Sequence, residues 1–350
     1  MHMARKDVKE AIKKLELHSE WDQKSDCTII LEFLETLPNL QAFEYRQWDP
    51  LIRTADHFRL MSSLRHTSLL ELFFKPGGFY SVVERSRPIG LTGLKKLDIR
   101  WNIGDNPNEA GSSLAHLYEL LRPSLATLVE LRIDVDPQYL LPDLDLQLLA
   151  PAGGSLRIFE YSLQHRDESI LDTIPVIFPH LTKLTIQWSN MYRYNEYPDV
   201  YSVLWKESHI ETLSKNVNLI DLTLSSDFEM DANDSFKADS DYAWWVRCYK
   251  RRLSATQAVA LACPFLQRCN WVQIGIRHHN ESMVHPFIIE KQITYGNMIR
   301  VVRGLKQDWM GREWSGCRYL NGMFTQAVNC KLEALPGDII GENDPESDDE

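Results

Sequence analysis

The clearest feature of the chain is a recurring spacing of hydrophobic residues: two apolar positions with two residues between them, and a third two positions further on. In residues 91–102, Leu94, Leu97 and Ile99 have this spacing, and Asn102 follows three positions later. The intervening positions are mostly polar, which is typical of a β-strand with one buried and one exposed face. Nine segments share the spacing, and they begin at Ile12, Leu40, Leu69, Leu94, Leu128, Leu156, Leu181, Leu219 and Leu266.

Helix-like segments precede several of these strands and end at an apolar residue followed by proline. Proline lacks an N–H and disfavours helix in the residue before it, so it ends a helix and favours extended chain. Helical connectors are predicted over residues 29–34, 51–65, 108–122 and 168–178. Another helix is predicted to begin at a capping box formed by Ser254 and Gln257, with Leu253 packing on Ala258. The proline stops are Leu37-Pro38, Phe178-Pro179 and Cys263-Pro264.

The spacing between segments and the alternation within them predict the fold class together. Five of the eight intervals between segments are 25 to 29 residues, within the roughly 20–29 residues of leucine-rich repeats. We therefore predict an α/β leucine-rich-repeat solenoid with irregular repeats, its parallel sheet on the concave face and its helices on the convex face. The alternative is an ordinary α/β domain with scattered leucine-rich strands. The register predicts burial of Leu97, Ile99, Leu131, Ile133, Leu184 and Ile186.

The repeat pattern also predicts the organisation of the chain. A solenoid over residues 1–305 carries two long insertions, at about 188–210 and 227–252, which are expected to be loops on one edge. Strand-like runs at residues 287–289 and 298–302 predict a closing hairpin. Residues 306–336 form a C-terminal closing segment, and residues 337–350 are a disordered acidic tail. The first strand begins at Ile12 and leaves little room for a cap, so we expect a shortened chain or a partner there.

Charge and composition limit the classes of function. The chain has a net charge of −11, but seven acidic residues and no basic one lie in residues 336–350. Because the strand positions mix both signs, the sequence predicts no nucleic-acid partner. No apolar run approaches the roughly 20 residues of a membrane span, and no signal peptide is evident. With six cysteines expected to be reduced thiols, the predicted compartment is the cytoplasm or the nucleus.

Catalytic and metal-binding patterns give no workable site. His278, His279 and His285 occur in a loop-like segment near Cys269, but their spacing matches no established zinc pattern. The sequence contains no nucleophile elbow, phosphate-binding loop or H-E-x-x-H motif. We therefore predict no catalytic residues, no cofactor and no metal.

Aromatic residues in the two insertions are the candidate partner-binding site. Tyr, Trp and Arg dominate the energetics of protein interfaces because they offer large contact areas and versatile polar groups. The alternative is that these aromatic residues only pack beneath the long loops. The predicted site residues are Trp188, Tyr192, Tyr194 and Trp205 in the first insertion, and Trp244, Trp245 and Arg247 in the second.

Helix, apolar-Pro-x-Leu and strand in succession resemble the fungal F-box/leucine-rich-repeat proteins over about residues 8–305. The segments that carry the resemblance are LPNLQAFEY, LTGLKKLDI, LATLVELRI, FPHLTKLTI, NLIDLTL, CPFLQRCNW and MIRVVRG. In that family the repeats hold a substrate protein and an N-terminal F-box docks onto a ubiquitin ligase. The resemblance covers the repeat region only, because residues 1–36 show no F-box pattern.

The resemblance implies a protein-interaction scaffold of the substrate-receptor type. Its implied partners are a client protein and, where an F-box is present, ubiquitin-ligase subunits. Two alternatives stay open. One is a free-standing scaffold or inhibitor, and the other is an accessory protein such as a GTPase activator, which would use an exposed arginine such as Arg247 or Arg251.

Overall fold

A computed structural model describes residues 10–19, 32–47, 69–75, 91–101, 117–119, 121–135, 145–163, 169–188, 203–228, 241–274, 282–294 and 297–304. It shows an α/β protein with two compact units. Unit 1 comprises Met1–Asp167, Ile177–Leu181 and Trp188–Arg193. Unit 2 comprises Glu168–Val176, Thr182–Gln187 and Tyr194–Glu350.

The described strands include eleven that form one mostly parallel sheet, in the order β1-β2-β3-β4-β5-β6-β7-β9-β11-β12-β13. Unit 1 contributes β1 (Lys14–Ser19), β2 (Ala42–Gln47), β3 (Glu71–Lys75), β4 (Lys96–Trp101), β5 (Glu130–Val135) and β6 (Ile158–Leu163). Most of β7 (Lys183–Trp188) belongs to unit 2, with β9 (Asp221–Leu224), β11 (Arg268–Ile274), β12 (Ser282–Thr294) and β13 (Asn297–Gly304). A separate parallel pair joins β8 (Val203–Leu204) and β10 (Ser226–Asp227).

All nine strands predicted from the hydrophobic spacing are present, and they follow one another in the sheet in chain order. The predicted register is confirmed as well, because Leu97, Leu131 and Leu184 are buried. The same holds for Ile99, Ile133 and Ile186. Successive side chains of a strand point to opposite faces, so the fixed apolar spacing places these residues in the core.

The α-helices with defined bounds are α1 (Ile170–Ile177), α2 (Ser208–Ser214) and α3 (Asp241–Ala262), and further helical residues lie at 32–34 and 117–119, within the predicted connectors at 29–34 and 108–122. Two 3-10 helices, Arg122–Thr127 and Leu146–Ala152, precede β5 and β6. The predicted proline stops are confirmed for α1 and α3, which end immediately before Phe178-Pro179 and Cys263-Pro264. The predicted connector at residues 168–178 is α1, whereas the connector at 51–65 lies outside the described residues.

The predicted start of a helix at Ser254 is wrong, because α3 begins at Asp241 and Ser254 lies exposed within it. The helix continues through Ser254 because its buried side recurs every three or four residues on both sides of that position. As a result, the second insertion is helical from Asp241 onward instead of a loop. From residue 248 onward, where the side chains of α3 are described, the buried residues are Cys248, Arg252, Ala255, Thr256, Val259 and Ala260.

Unit 1 has an apolar core, and the buried hydroxyl of one serine holds the turn that leads into β4 by hydrogen bonds. The side chains of Phe159 and Phe178 pack with ring centroids 5.2 Å apart. The buried Ser124 hydroxyl accepts a hydrogen bond from the Leu94 amide at 3.1 Å and donates one to the carbonyl of Leu91. The turn between those residues contains Gly93, whose φ of 81° lies in the left-handed region. The 3-10 helix before β5 therefore fixes the turn into β4.

The described part of unit 2 contains the predicted hairpin, in which β12 pairs antiparallel with both β11 and β13. Helix α3 packs on this hairpin, and the rings of Tyr249 and Phe287 have centroids 5.3 Å apart. His285 lies buried in β12 opposite Trp271, so its predicted loop position is wrong. The alternation in β12 places His285 and Phe287 on the same face, with Trp271 and Cys269 facing them across the strand pair.

Candidate functional site

The predicted partner-binding residues fall into three groups in the structure. Trp205 has a described side chain. Trp188 is the last residue of β7, whereas Trp244, Trp245 and Arg247 lie in the first two turns of α3, and the side chains of these four are outside the description. Tyr192 and Tyr194 lie outside the described residues.

Trp205 lies directly after β8 and is half-buried. Its ring meets the fully buried ring of Trp271 edge-on, with centroids 4.9 Å apart and an interplanar angle of 86°. The other neighbour is the buried His209, whose ring centroid is 5.3 Å away. His209 Nδ1 accepts a hydrogen bond from the Lys206 amide at 3.2 Å, at the start of α2. Trp205 therefore packs at the edge of the unit 2 core, with part of its side chain exposed.

A buried polar network extends from this aromatic group into α3. The indole N–H of Trp271 donates a hydrogen bond to Thr256 Oγ1 at 2.8 Å, and that hydroxyl donates to the carbonyl of Arg252 at 2.7 Å. The fully buried Arg252 donates from Nη1 to the carbonyl of Cys248 at 3.1 Å. Its guanidinium carbon lies 5.2 Å from the ring centroid of Phe228, a cation–π distance.

Sequence reasoning missed this network because Arg252 was assigned to the end of the second insertion, at about 227–252, which was expected to be a loop. The available signal was the spacing of Arg252 and Thr256, which are one helical turn apart. Burial, together with the positive charge of Arg252, holds the pKa of His285 well below its ordinary value of 6.5. His285 is therefore neutral at physiological pH.

The polar side of the sheet in unit 1 forms a candidate interaction surface, which we call the unit 1 polar face. It consists of three positions from each of six strands, and the pairing between the strands places them in rows across the sheet. Its positions are 14, 16 and 18 in β1; 42, 44 and 46 in β2; 71, 73 and 75 in β3; 96, 98 and 100 in β4; 130, 132 and 134 in β5; and 158, 160 and 162 in β6.

Ion pairs join neighbouring positions of the unit 1 polar face. Lys96 Nζ lies 2.7 Å from Glu71 Oε1 on the adjacent strand, and the hydrogen bond from Lys96 to Glu71 raises the pKa of the lysine. Arg132 contacts Glu130 at 2.5 Å and Glu160 on β6 at 3.6 Å. The Arg132–Glu130 contact lies within β5, whereas Lys96–Glu71 and Arg132–Glu160 join adjacent strands, so the charged layer is linked both along and across strands.

In the ion pairs described on this face, the cation is more exposed than its carboxylate. The side chain of Arg46 is 50% exposed, whereas that of its partner Glu44 is only 10% exposed. The same order holds for Lys14 over Glu16, and for Arg132 over Glu130 and Glu160. Lysine and arginine have longer side chains, which extend across the carboxylates toward solvent. The prediction that the intervening strand positions face solvent is wrong at Glu44 and Asp98, which are buried, and in unit 2 at Thr185, Asp221 and Ser225.

The corresponding unit 2 polar face is dominated by hydroxyl and amide groups. It consists of residues 183, 185 and 187 of β7, 221, 223 and 225 from β9 onward, and 268, 270 and 272 of β11. Asn270 Nδ2 donates a hydrogen bond to Thr223 Oγ1 at 3.0 Å. Arg268 pairs with Asp221 at 3.1 Å. Among the described atoms, the buried hydroxyl of Ser225 has no hydrogen-bond partner.

The described cysteines have no features of a reactive site. Burial raises the pKa of Cys263 to about 11 and that of Cys269 to about 12. Both are therefore protonated at neutral pH, and the thiol is a much weaker nucleophile than the thiolate. Within the described residues, no group of three or more His, Cys, Asp and Glu side chains is placed to hold a metal ion. His278 and His279 lie outside that part of the chain.

Comparison with known proteins adds no family to this picture. No protein-family model matches the chain, and no curated protein is significantly similar to it. In the part of the chain that the structure describes, no helix has both the length and the apolar character needed to cross a membrane.

Proposed function

We propose that the chain is a leucine-rich-repeat solenoid and that it acts as a protein-recognition scaffold. In this proposal the polar side of the parallel sheet is the concave recognition face, and the helical connectors lie on the convex side. The observation that carries the proposal is the in-register alignment of polar positions over successive parallel strands. Such alignment builds a broad surface of side chains from a repeated backbone unit, as solenoid proteins do for binding.

The resemblance to F-box/leucine-rich-repeat proteins extends the proposal to a substrate receptor. The repeats would hold the client protein, and a ubiquitin-ligase subunit would be a second partner. The proposed compartment is the cytoplasm or the nucleus, as expected for a chain with reduced cysteines. We propose no enzymatic activity, cofactor, metal or nucleic-acid ligand for the chain.

The sequence-predicted aromatic residues have a defined place in this proposal. Trp205 packs against Trp271, so its exposed part would add only a limited contact area. Trp244, Trp245 and Arg247 belong to one helix, α3, and would act as a single helical contact segment. The polar faces, rather than Trp205, are therefore the larger recognition surface.

Capture of partners from a fungal lysate, followed by lysine cross-linking and mass spectrometry, tests the proposed function. The polar faces contain Lys14, Lys96 and Lys183, whereas Lys215 and Lys291 are exposed elsewhere and serve as internal controls. We expect a client protein to be cross-linked to the polar-face lysines. Cross-links only to Lys215 and Lys291 would contradict recognition by the sheet.

The identity of the captured proteins separates the alternatives. Ligase subunits together with a client support a substrate receptor, and a client alone supports a free-standing scaffold or inhibitor. A single small GTPase would support the accessory role, for which Arg247 and Arg251 are the candidate residues. Arg247→Ala and Arg251→Ala would then abolish stimulation of GTP hydrolysis, with the lysine cross-links unchanged.

A further inference from the structure

We propose that the β1–β4 part of the unit 1 polar face binds an acidic segment of the protein partner. The inference rests on the proposed function and specifies the chemistry of the partner. It depends on three observations: the composition of this part of the face, the exposure of its cations, and the register of its basic positions.

The composition of these four strands differs from that of the whole chain. Their polar-face positions hold five lysines and arginines and four acidic residues, whereas the chain has 38 lysines and arginines against 49 acidic residues. A local excess of basic positions on an acidic protein favours an acidic partner over a basic one. The basic residues are Lys14, Arg46, Lys75, Lys96 and Arg100, and the acidic ones are Glu16, Glu44, Glu71 and Asp98.

The acidic groups of this region are less accessible than the basic ones. Asp98 is buried, and Arg46 covers the nearly buried carboxylate of Glu44. Lys96 is likewise more exposed than its partner Glu71. At the Arg46–Glu44 pair an approaching chain therefore meets the guanidinium group before the carboxylate, and at Lys14–Glu16 and Lys96–Glu71 it meets both groups, with the cation the more exposed of the two. Each cation keeps N–H groups that can donate to an incoming carboxylate, because lysine has three donors and arginine has five.

The register gathers basic residues into one row near the carboxyl ends of the strands. His18 pairs with Arg46, and Arg46 pairs with Lys75. Arg100 extends the row, because it follows Ile99, the residue that pairs with Phe74 in the β3–β4 ladder. Four adjacent strands span about 14 Å at the usual strand spacing. A segment with several aspartates or glutamates matches both the length and the charge of this row.

A direct binding measurement tests the inference. The probe is a fluorescein-labelled peptide of Glu, Asp and Ser about ten residues long, which in extended form is longer than the row. We expect it to bind the full chain in about 50 mM salt and to bind much more weakly in about 300 mM salt. A neutral Ser and Gln peptide of the same length should not bind, and equal binding of the two would overturn the inference.

Charge-neutral variants locate the binding. Arg46→Gln with Lys75→Gln and Arg100→Gln should weaken binding of the acidic peptide at least about tenfold. The matched control, Arg122→Gln with Lys215→Gln and Lys291→Gln, removes three exposed charges elsewhere and should change binding by less than about twofold. Equal weakening in both triple variants would show only non-specific attraction and would overturn the inference.

A second variant and a second ligand complete the design. Lys75→Gln with Arg100→Gln leaves the Arg46–Glu44 pair intact, and should still weaken binding if the triple variant does not fold. Tighter binding of a single-stranded oligonucleotide than of the acidic peptide would identify a phosphate-binding surface instead.

If lysate capture gives a client that the triple variant retains, the proposed function stands and this inference fails. If no client is captured, the proposed function fails, while peptide binding still decides the chemistry of the face.

Discussion

The two units of the molecule handle polar groups in opposite ways. Of the thirteen buried polar residues in the described part of the chain, only Glu44, Asp98 and Ser124 belong to unit 1. The other ten belong to unit 2, including Arg252 and His285. The described ion pairs of unit 1 lie on the polar face of its sheet, whereas unit 2 brings polar groups into its core. Several of these groups form hydrogen bonds there, such as Trp271 with Thr256, and others, such as the Ser225 hydroxyl, have no partner among the described atoms.

The difference follows from how each unit is connected. Unit 1 repeats a strand followed by a connector of 20 to 28 residues, so each apolar side chain of a strand packs on the equivalent residue of the next strand. Unit 2 contains the 22-residue helix α3 and an antiparallel hairpin, which approach one another through residues far apart in the chain. Burial of polar groups is costly unless each finds a partner. Unit 2 therefore depends on specific pairs, and unit 1 depends on repeated apolar packing.

Loss of apolar packing in unit 1 should have the largest effect. Leu131 is fully buried in β5, and Leu131→Ala should lower the free energy of unfolding by about 2–5 kcal/mol, through lost burial and a residual cavity. Denaturant titration followed by circular dichroism measures the change. The matched control is Val129→Ala at an exposed neighbouring position, which should stay within about 0.5 kcal/mol. A loss below about 0.5 kcal/mol for Leu131→Ala would contradict the assigned core.

The next prediction concerns the cation that joins α3 to the hairpin of unit 2. Arg300 of β13 donates hydrogen bonds to the carbonyls of Ala260, Cys263 and Leu266, where α3 ends. Arg300→Gln should lower the free energy of unfolding by about 1.5–3 kcal/mol. The substitution removes hydrogen bonds from a charged donor to carbonyls in and just after the last turn of α3, where carbonyls lack partners within the helix. Thermal or denaturant unfolding measures this effect.

The control for Arg300 is Arg303→Gln in the same strand. Arg303 is exposed and contacts Glu290 at 3.6 Å, so its loss should cost no more than about 1 kcal/mol. Equal costs for the two arginines would show that the end of α3 does not depend on Arg300.

Buried His285 predicts a pH dependence that arises in unit 2. Its pKa is held well below 6.5 in the folded protein, so the unfolded chain binds a proton at a higher pH than the folded chain does. Stability is therefore fully present above pH 6.5 and declines as the pH falls below it, by at most about 1.4 kcal/mol per pH unit from this residue. The decline stops below the folded-state pKa.

His285→Gln removes the titrating group and should reduce the slope of stability against pH between about pH 6.5 and 5. Denaturant titrations at several pH values measure the slope, which is informative even if the variant is less stable at pH 7. An unchanged slope would show that other groups cause the acid sensitivity.

The same contrast explains which features the sequence could predict. The nine parallel strands and the burial of residues such as Leu97 and Ile133 could be predicted from local spacing. The alternation of apolar and polar residues within each strand is enough to show which side chains are buried. The Trp271–Thr256–Arg252 network was not predictable in this way, since it depends on the orientation of α3 on β11. Ser254 illustrates the limit: its capping-box sequence is real, but the buried stripe of α3 continues past it.

The candidate site was predicted less well than the fold. The aromatic residues were selected by residue type. Residue type alone does not distinguish a side chain that contacts a partner from one that packs on the core, as Trp205 does. The rows of charges on the unit 1 polar face required the pairing register, which relates β2, β3 and β4 to one another. The mixed signs along each strand were visible in the sequence, but the greater exposure of the cations was not.

The smallest predicted effect separates the two polar faces by their response to salt. A double-mutant cycle on Lys96 and Glu71, with Lys96→Met and Glu71→Gln, should give a coupling of about 0.2–1 kcal/mol, because both side chains are partly exposed. About 1 M salt should remove most of it, since screening acts within about 3 Å at that concentration. The matched cycle on Thr223→Val and Asn270→Ala probes a neutral hydrogen bond in unit 2, and its coupling should persist in salt. If salt lowered the coupling free energies of both cycles equally, the charged layer would not be what distinguishes unit 1. If salt lowered neither, the Lys96–Glu71 contact would stabilise the fold through packing rather than charge.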